Sequence, residues 1–214
     1  MSTSVSVAAS WDRYYASSVT RVPYTDAVVF AMKVLARAPE ASLLEFGCGN
    51  AQNLGFLRSV FTQARLIGCD VSEQGLIKAQ ALYPDLELFV NGDDLGLSPA
   101  SLDAVIERAA LQHVPKVLGQ RYVAQMFEAL KPGGTGFFEI ANTQHGCAKL
   151  GDGGEDPVFG YRVFYDLGEI ESLFAAFEIE QIFERKRVQI KTPEGTDRPV
   201  YDEACYQVMV RKPG

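Results

Sequence analysis

The 214-residue chain reads as a single α/β domain, a mostly parallel seven-stranded sheet with helices on both faces that closes on an antiparallel hairpin. Three observations predict this. Apolar runs of four to six residues alternate with segments of helical period, the pattern of strands buried on both faces. The length suits one domain with a substantial core. A composition of 47% hydrophobic and 22% charged residues is that of a folded globular chain.

Each element carries its own signal. A helix from Thr25 to Ala38 places Val28, Val29, Met32 and Leu35 on one side, and Ser42 to Phe46 follows as the first strand. Asn50 to Phe61 is the next helix, Arg65 to Cys69 the second strand, and Ser72 caps a helix running to Leu82. Leu86 to Val90 and Leu102 to Glu107 are strands three and four. Lys116 to Leu130 is helical, and Lys131-Pro132-Gly133-Gly134 stops it before strand five, Thr135 to Ala141. Asn142 to Tyr165 is rich in glycine and aromatics. Asp166 and Glu169 form a capping box for a helix reaching Phe177, and Glu178 to Arg187 with Ala204 to Lys212 make the final hairpin, joined by the polar segment Thr192 to Glu203.

A formal net charge of -7 without a basic run would repel a polyanion, so nucleic acid is not expected as a partner. Apolar runs stay short of the roughly 18 to 20 residues that span a bilayer, and the start lacks the basic end and apolar core of a signal peptide. The expected location is cytoplasmic, with no membrane partner. Cys48, Cys69, Cys147 and Cys205 are scattered without a C-x-x-C pair, beside only His113 and His145, so no metal site is expected. Cys48 and Cys69 lie at strand ends, where a thiol serves as a small hydrophobe.

The chemistry begins at Leu43-Leu44-Glu45-Phe46-Gly47-Cys48-Gly49-Asn50, where a buried strand runs into a glycine turn and then a helix. Glycines there let the backbone approach a ligand in the crevice beyond the strand ends. Asp70 closes the next strand about 20 residues later, where a carboxylate can accept both hydroxyls of a ribose. Together they indicate an adenosine ligand. The third glycine of a dinucleotide fingerprint is replaced by Gln52, which disfavours NAD.

At these residues the chain resembles the class I S-adenosylmethionine-dependent methyltransferase superfamily, over roughly Leu43 to Ala141. The family's first motif has an acid where Glu45 stands and glycines at Gly47 and Gly49; Ala51 occupies the place of its frequent third glycine. Asn91-Gly92-Asp93-Asp94-Leu95 is similar to the segment that holds the adenine amino group and ring, roles that fall on Asp93 and Asp94. Leu102 to Val114 matches the fourth strand and the loop crossing the reacting end, and Leu130 to Gly134 the turn before strand five. The resemblance implies a Rossmann-like fold, S-adenosyl-L-methionine as cofactor and a small-molecule methyl acceptor. Its cofactor contacts would be Tyr15, Arg21, Glu45, Gly47, Cys48, Gly49, Asn50, Asp70, Val71, Asp93, Asp94, Leu95 and Glu107.

Glu107-Arg108-Ala109-Ala110-Leu111 is similar to a run in thiopurine and related thiol methyltransferases, in which the arginine lies near substrate. Arg108 is therefore a candidate for gripping an anion with its guanidinium fork. Trp11-Asp12-Arg13-Tyr14-Tyr15 resembles an aromatic entry segment folding over the cofactor, and a hydrophobic anchor is the other reading of Trp11 and Tyr14. Residues 1–40 would then form an N-terminal helical cap, 41–214 the methyltransferase domain, and 142–165 a substrate lid whose wall is Phe159, Tyr161, Phe164 and Tyr165 or, alternatively, a loop those aromatics merely pack down.

Methyl transfer is an in-line displacement that alignment and desolvation can drive without a dedicated base. His113 is the nearest group suited to taking a proton near neutral pH, and a structural role is the other reading of it. Sulfur, nitrogen and oxygen acceptors all remain open, as do two other classes: a catalytically silent S-adenosylmethionine-binding subunit, and a nicotinamide oxidoreductase, which lacks an evident Tyr-x-x-x-Lys pair here.

Overall fold

A computed structural model describes residues 3–17, 22–148, 154–156, 160–187 and 203–214. Helix α1 (Thr3–Ser17) precedes α2 (Thr25–Arg37). Ala27, Val28, Ala31 and Leu35 of α2, spaced at one and two turns, are its buried side, whereas Val29 faces outward at 45% exposure.

The sheet then builds as β1 (Ser42–Phe46), β2 (Arg65–Asp70) and β3 (Glu87–Val90), connected by α3 (Gln52–Val60) and α4 (Glu73–Leu82). Ser72 caps α4 as its sequence position predicts, its hydroxyl accepting from the Gly75 N–H at 3.0 Å. After β4 (Leu102–Arg108) a 3-10 turn (Leu111–His113) leads into α5 (Lys116–Ala129) and β5 (Leu130–Ala141). The Lys-Pro-Gly-Gly segment is thus not a turn outside the strand but its first part. Leu130 pairs with Leu102, the register then shifts, and pairing resumes at Thr135 with Ala104.

Within the predicted loop, β6 (Gly154–Asp156) and β7 (Gly160–Arg162) form a small antiparallel ribbon that the sequence reading lacks. The capping box is present: Asp166 accepts from the Glu169 N–H and Glu169 from the Asp166 N–H. It opens α6 (Leu167–Leu173), which ends before Phe177. Strands β8 (Glu178–Arg187) and β9 (Glu203–Arg211) form the final hairpin. Most of its connection lies outside the described residues.

In the sheet, strand order is β3-β2-β1-β4-β5-β9-β8, parallel through β5 and antiparallel from β9 onward. Alternate residues serve opposite faces. Leu44, Val105 and Phe138 pack with Tyr122 and Phe174 on one side, and Leu43, Ile106 and Phe137 with α2 and α3 on the other. Strand order reverses between β1 and β4, the place where open α/β sheets leave a crevice at the carboxyl ends of their strands. No helix among the described residues is long and apolar enough to cross a membrane.

Candidate active site at the strand ends

At the crevice, β1 hands over to a turn that uses the freedom of its glycines: Gly47 has φ +73° and Gly49 φ +56°. The N–H groups of Gly47 and Cys48 both donate to the Cys69 carbonyl, at 2.8 and 2.9 Å, so the turn is anchored to the end of β2. A Cβ at Gly47 would overlap the Ala110 methyl, and one at Gly49 the Tyr15 hydroxyl. Ala51 also adopts a left-handed φ of 56°, at the position where the resembled motif often has glycine.

Asp70 closes this turn. Its two carboxylate oxygens accept separately from the N–H groups of Gly49 and Ser72, each at 2.8 Å, and the residue is 6% exposed. Burial pushes its carboxyl up to about 6, against the pull of those two hydrogen bonds. Each oxygen keeps a further lone pair for a ligand hydroxyl. Val71, the next residue, is half-buried, as is Asn50 in the turn.

Two further acids stand behind the turn. Glu45 accepts from Asn53 Nδ2 at 2.6 Å and Glu107 from the N–H groups of Ala110 and Leu111 at 2.6 and 3.0 Å. Burial raises both carboxyls to about 8. The second oxygen of each, Oε2, is buried without a hydrogen-bond partner among the described residues. A buried carboxyl that holds its proton without ligand and ionises as a cation approaches suits a ligand carrying N–H donors or positive charge. Asn53 also accepts from the Tyr24 N–H at 2.8 Å, so one amide joins Glu45 to the start of α2. The sequence reading missed Asn53; the signal was a polar residue on the buried side of α3.

Helix α1 lies across this end of the sheet. Trp11 stacks on Tyr15 and meets His113 edge-on with ring centroids 5.0 Å apart. Asp12 accepts from the Ser72 hydroxyl at 2.7 Å and the Gln74 N–H at 3.1 Å, while Lys78 donates to the carbonyls of Tyr15 and Ala16. Burial raises the Tyr15 hydroxyl well above its ordinary value, aided by Asp70. Arg21 lies outside the described residues.

The remaining expected residues are placed unevenly. Asp93 and Asp94 are exposed; Asp93 faces Arg121 at 3.6 Å, and Asp94 accepts from the Gly96 N–H. Gln125 fixes their loop, accepting from the Leu95 N–H at 2.7 Å and donating to the Asp93 carbonyl at 3.0 Å. Leu95 itself is core. His113 is 3% exposed, with Nδ1 at 2.9 Å from the Tyr161 carbonyl and Nε2 at 3.4 Å from Gln112 Nε2. Phe164 and Tyr165 are 3% and 2% exposed within the core clusters, and Phe159 lies outside the described residues.

Arg108 leaves β4 at the same end. Its guanidinium lies over the Tyr24 ring at 3.6 Å and pairs with Glu139 at 3.0 Å. Glu139, a charge inside the apolar run of β5, also meets Arg185 and Gln207, both of which reach Asp26 of α2, a cluster that sequence reasoning missed because its members are up to 181 residues apart.

Residues 43–134 match the model of a family described as a methyltransferase domain. Among curated proteins, the trans-aconitate 2-methyltransferase of Deinococcus radiodurans is 36% identical over 114 residues, 52% of this chain and 43% of that protein. The match therefore spans less than half of that relative's length. A solved S-adenosylmethionine-dependent methyltransferase of Anabaena variabilis superposes with a TM-score of 0.69 at 19% identity, covering 99% of this chain and 96% of that one. An N-methyltransferase of Bradyrhizobium japonicum, solved with S-adenosyl-l-homocysteine, gives 0.69 at 15% identity over 97% and 99%.

Proposed function

We propose that the chain is a class I S-adenosylmethionine-dependent methyltransferase that transfers a methyl group from S-adenosyl-L-methionine to a small-molecule nucleophile, a reading supported by the methyltransferase domain matched at residues 43–134 and by the curated relatives. The observation that carries this reading is the Asp70 clasp beside the Gly47-Cys48-Gly49 turn, at the point where strand order reverses. The cofactor supplies an activated methyl group when bound.

Asp70 would accept the ribose hydroxyls, and the turn at Gly47 to Asn50 would admit the cofactor to the backbone. The orphaned Oε2 atoms of Glu45 and Glu107 would receive its amino group and favour its positive charge. Val71 and the Asp93 to Leu95 loop would flank the adenine, and Tyr15, with Arg21 from outside the described residues, the methionine end. Helix α1, as part of a cap over residues 1–40, and the segment 142–165 would exclude water from the reacting end. His113, held at both ring nitrogens, would act as a positioning residue that fixes the turn to Trp11 and Tyr161.

Of the three open acceptor atoms, the name of the curated relatives favours oxygen, in a carboxylic acid such as trans-aconitate. Such an acid is ionised near pH 7 and needs no general base. The formal net charge of -7 disfavours nucleic acid as the acceptor.

Isothermal titration with S-adenosyl-L-methionine, followed by an acceptor screen that scores S-adenosyl-l-homocysteine release, tests the proposal. Binding and turnover are expected. Binding without turnover across acids, thiols, amines and phenols would favour a silent binding subunit, and preference for NAD would overturn the reading.

A further inference from the structure

On the α2 side of the sheet, β4, β5 and β8 end around a cavity of about 480 Å³ whose charged lining is Arg108, Arg185 and Arg187 against Asp26 and Glu139. The net charge of this wall is positive in a chain that is negative overall. Nothing in the cofactor contacts above requires three arginines here.

Their placement is built, not incidental. Arg108 is held flat on Tyr24 and by Glu139. Arg185 is held by Asp26 and by Glu139 at 3.3 Å, and Gln207 Nε2 donates to both of those carboxylates, at 3.0 and 2.7 Å. Arg187 stands two residues further along β8, hence on the same face, and pairs with Glu203 at 3.2 Å. Guanidinium forks fixed before a ligand arrives lose little freedom on gripping a carboxylate. The first turn of α2 also borders the cavity and has no side-chain cap, so its N–H groups add to the positive end.

The cavity adjoins the proposed methyl donor site. Tyr24 in its wall donates to Asn53, which donates to Glu45 behind the glycine turn, and Arg108 is two residues from Ala110, whose methyl fills the space beside Gly47.

We infer that this cavity recognises the acceptor through its carboxylates, with Arg108 gripping near the reacting end and Arg185 and Arg187 holding a second acidic group. The ligand class is an organic acid with two or more carboxylates. The inference rests on the methyltransferase reading and adds to it the residues that select the substrate.

Calorimetric titration of protein saturated with S-adenosyl-l-homocysteine, using trans-aconitate and its uncharged trimethyl ester as probes, tests it. The acid should bind and the ester should not, with affinity falling as salt rises. Arg185→Gln and Arg187→Gln should each weaken the acid at least tenfold while leaving S-adenosyl-l-homocysteine affinity within twofold. Arg187 is half-exposed, so its variant keeps the test sound should Arg185→Gln fail to fold. Normal cofactor-product binding with no uptake of the acid at millimolar concentration, or with uptake that both variants leave unchanged, overturns the inference and spares the methyltransferase reading. Failure of S-adenosyl-l-homocysteine to bind overturns both.

Discussion

Asp70 joins a role in the fold to the ligand contact proposed for it. It ties Gly49 to Ser72 and so shapes the turn, and its remaining lone pairs are those proposed to meet a ribose. Asp70→Ala should weaken S-adenosyl-L-methionine binding at least tenfold, about 1.5–3 kcal/mol for lost charged hydrogen bonds. Titration calorimetry measures this, with circular dichroism confirming that the domain is intact; unchanged affinity in a folded variant would remove Asp70 from the site. At Ala100, exposed with φ 50°, the left-handed backbone costs an L-residue roughly 1–2 kcal/mol, more than the roughly 0.5–1 kcal/mol of entropy a glycine loses. Ala100→Gly should therefore raise stability by about 0.5 kcal/mol in urea denaturation, without touching ligand affinity.

Among elements, α1 is tied to the strand ends largely through α4. Asp12 fastens it to the start of α4, and Lys78 caps its last carbonyls. Lys78→Met combined with Asp12→Ala should speed proteolytic cleavage within residues 3–17 and increase the dissociation rate of S-adenosyl-l-homocysteine, read by stopped flow. An unchanged off-rate would mean that α1 does not cover the site.

The elements also show what sequence could carry. β1, β2 and β4 announce themselves because strands buried on both faces are continuous apolar runs, and the caps of α4 and α6 because Ser72 and the Asp166–Glu169 pair act on immediate neighbours. The glycine turn and Asp70 were legible for the same reason, each being a local pattern at a strand end. The charged cavity was not: Arg108 was singled out, but Asp26, Glu139, Arg185 and Gln207 meet only through the folded sheet. Lys131 to Gly134 misled because proline and glycine also suit the irregular start of a strand.

Over the whole molecule, three buried acids make stability depend on pH. Glu45 and Glu107 rise from 4.5 to about 8 on folding, and Asp70 from 3.8 to about 6. The folded protein thus binds these protons more tightly than the unfolded chain, so their contribution is complete below about pH 4 and is lost as pH rises through 6 and then 8. The ligand-free protein should melt at a lower temperature at pH 8.5 than at pH 5, and Glu107→Gln, which keeps an acceptor for Ala110 and Leu111, should flatten that slope. A melting temperature that climbs between pH 5 and pH 8.5 would show that other groups dominate. Cofactor at a hundredfold excess over its dissociation constant should add about 2.7 kcal/mol at either pH.

The place of β9 between β5 and β8 bears on the order in which the molecule assembles. Thr135 must find Arg211 and Ala141 must find Cys205, across more than 60 residues, as β1 must find β4, whereas β1 with β2, β2 with β3 and β4 with β5 pair through shorter crossovers. Long-range closure is slow, and until it happens β5 presents Phe137, Phe138 and Ile140 along an open edge. The last strand to join thus governs how long a nascent sheet remains sticky, and the yield of soluble protein should respond more sharply to lesions in β9 than to equal losses of stability in α3.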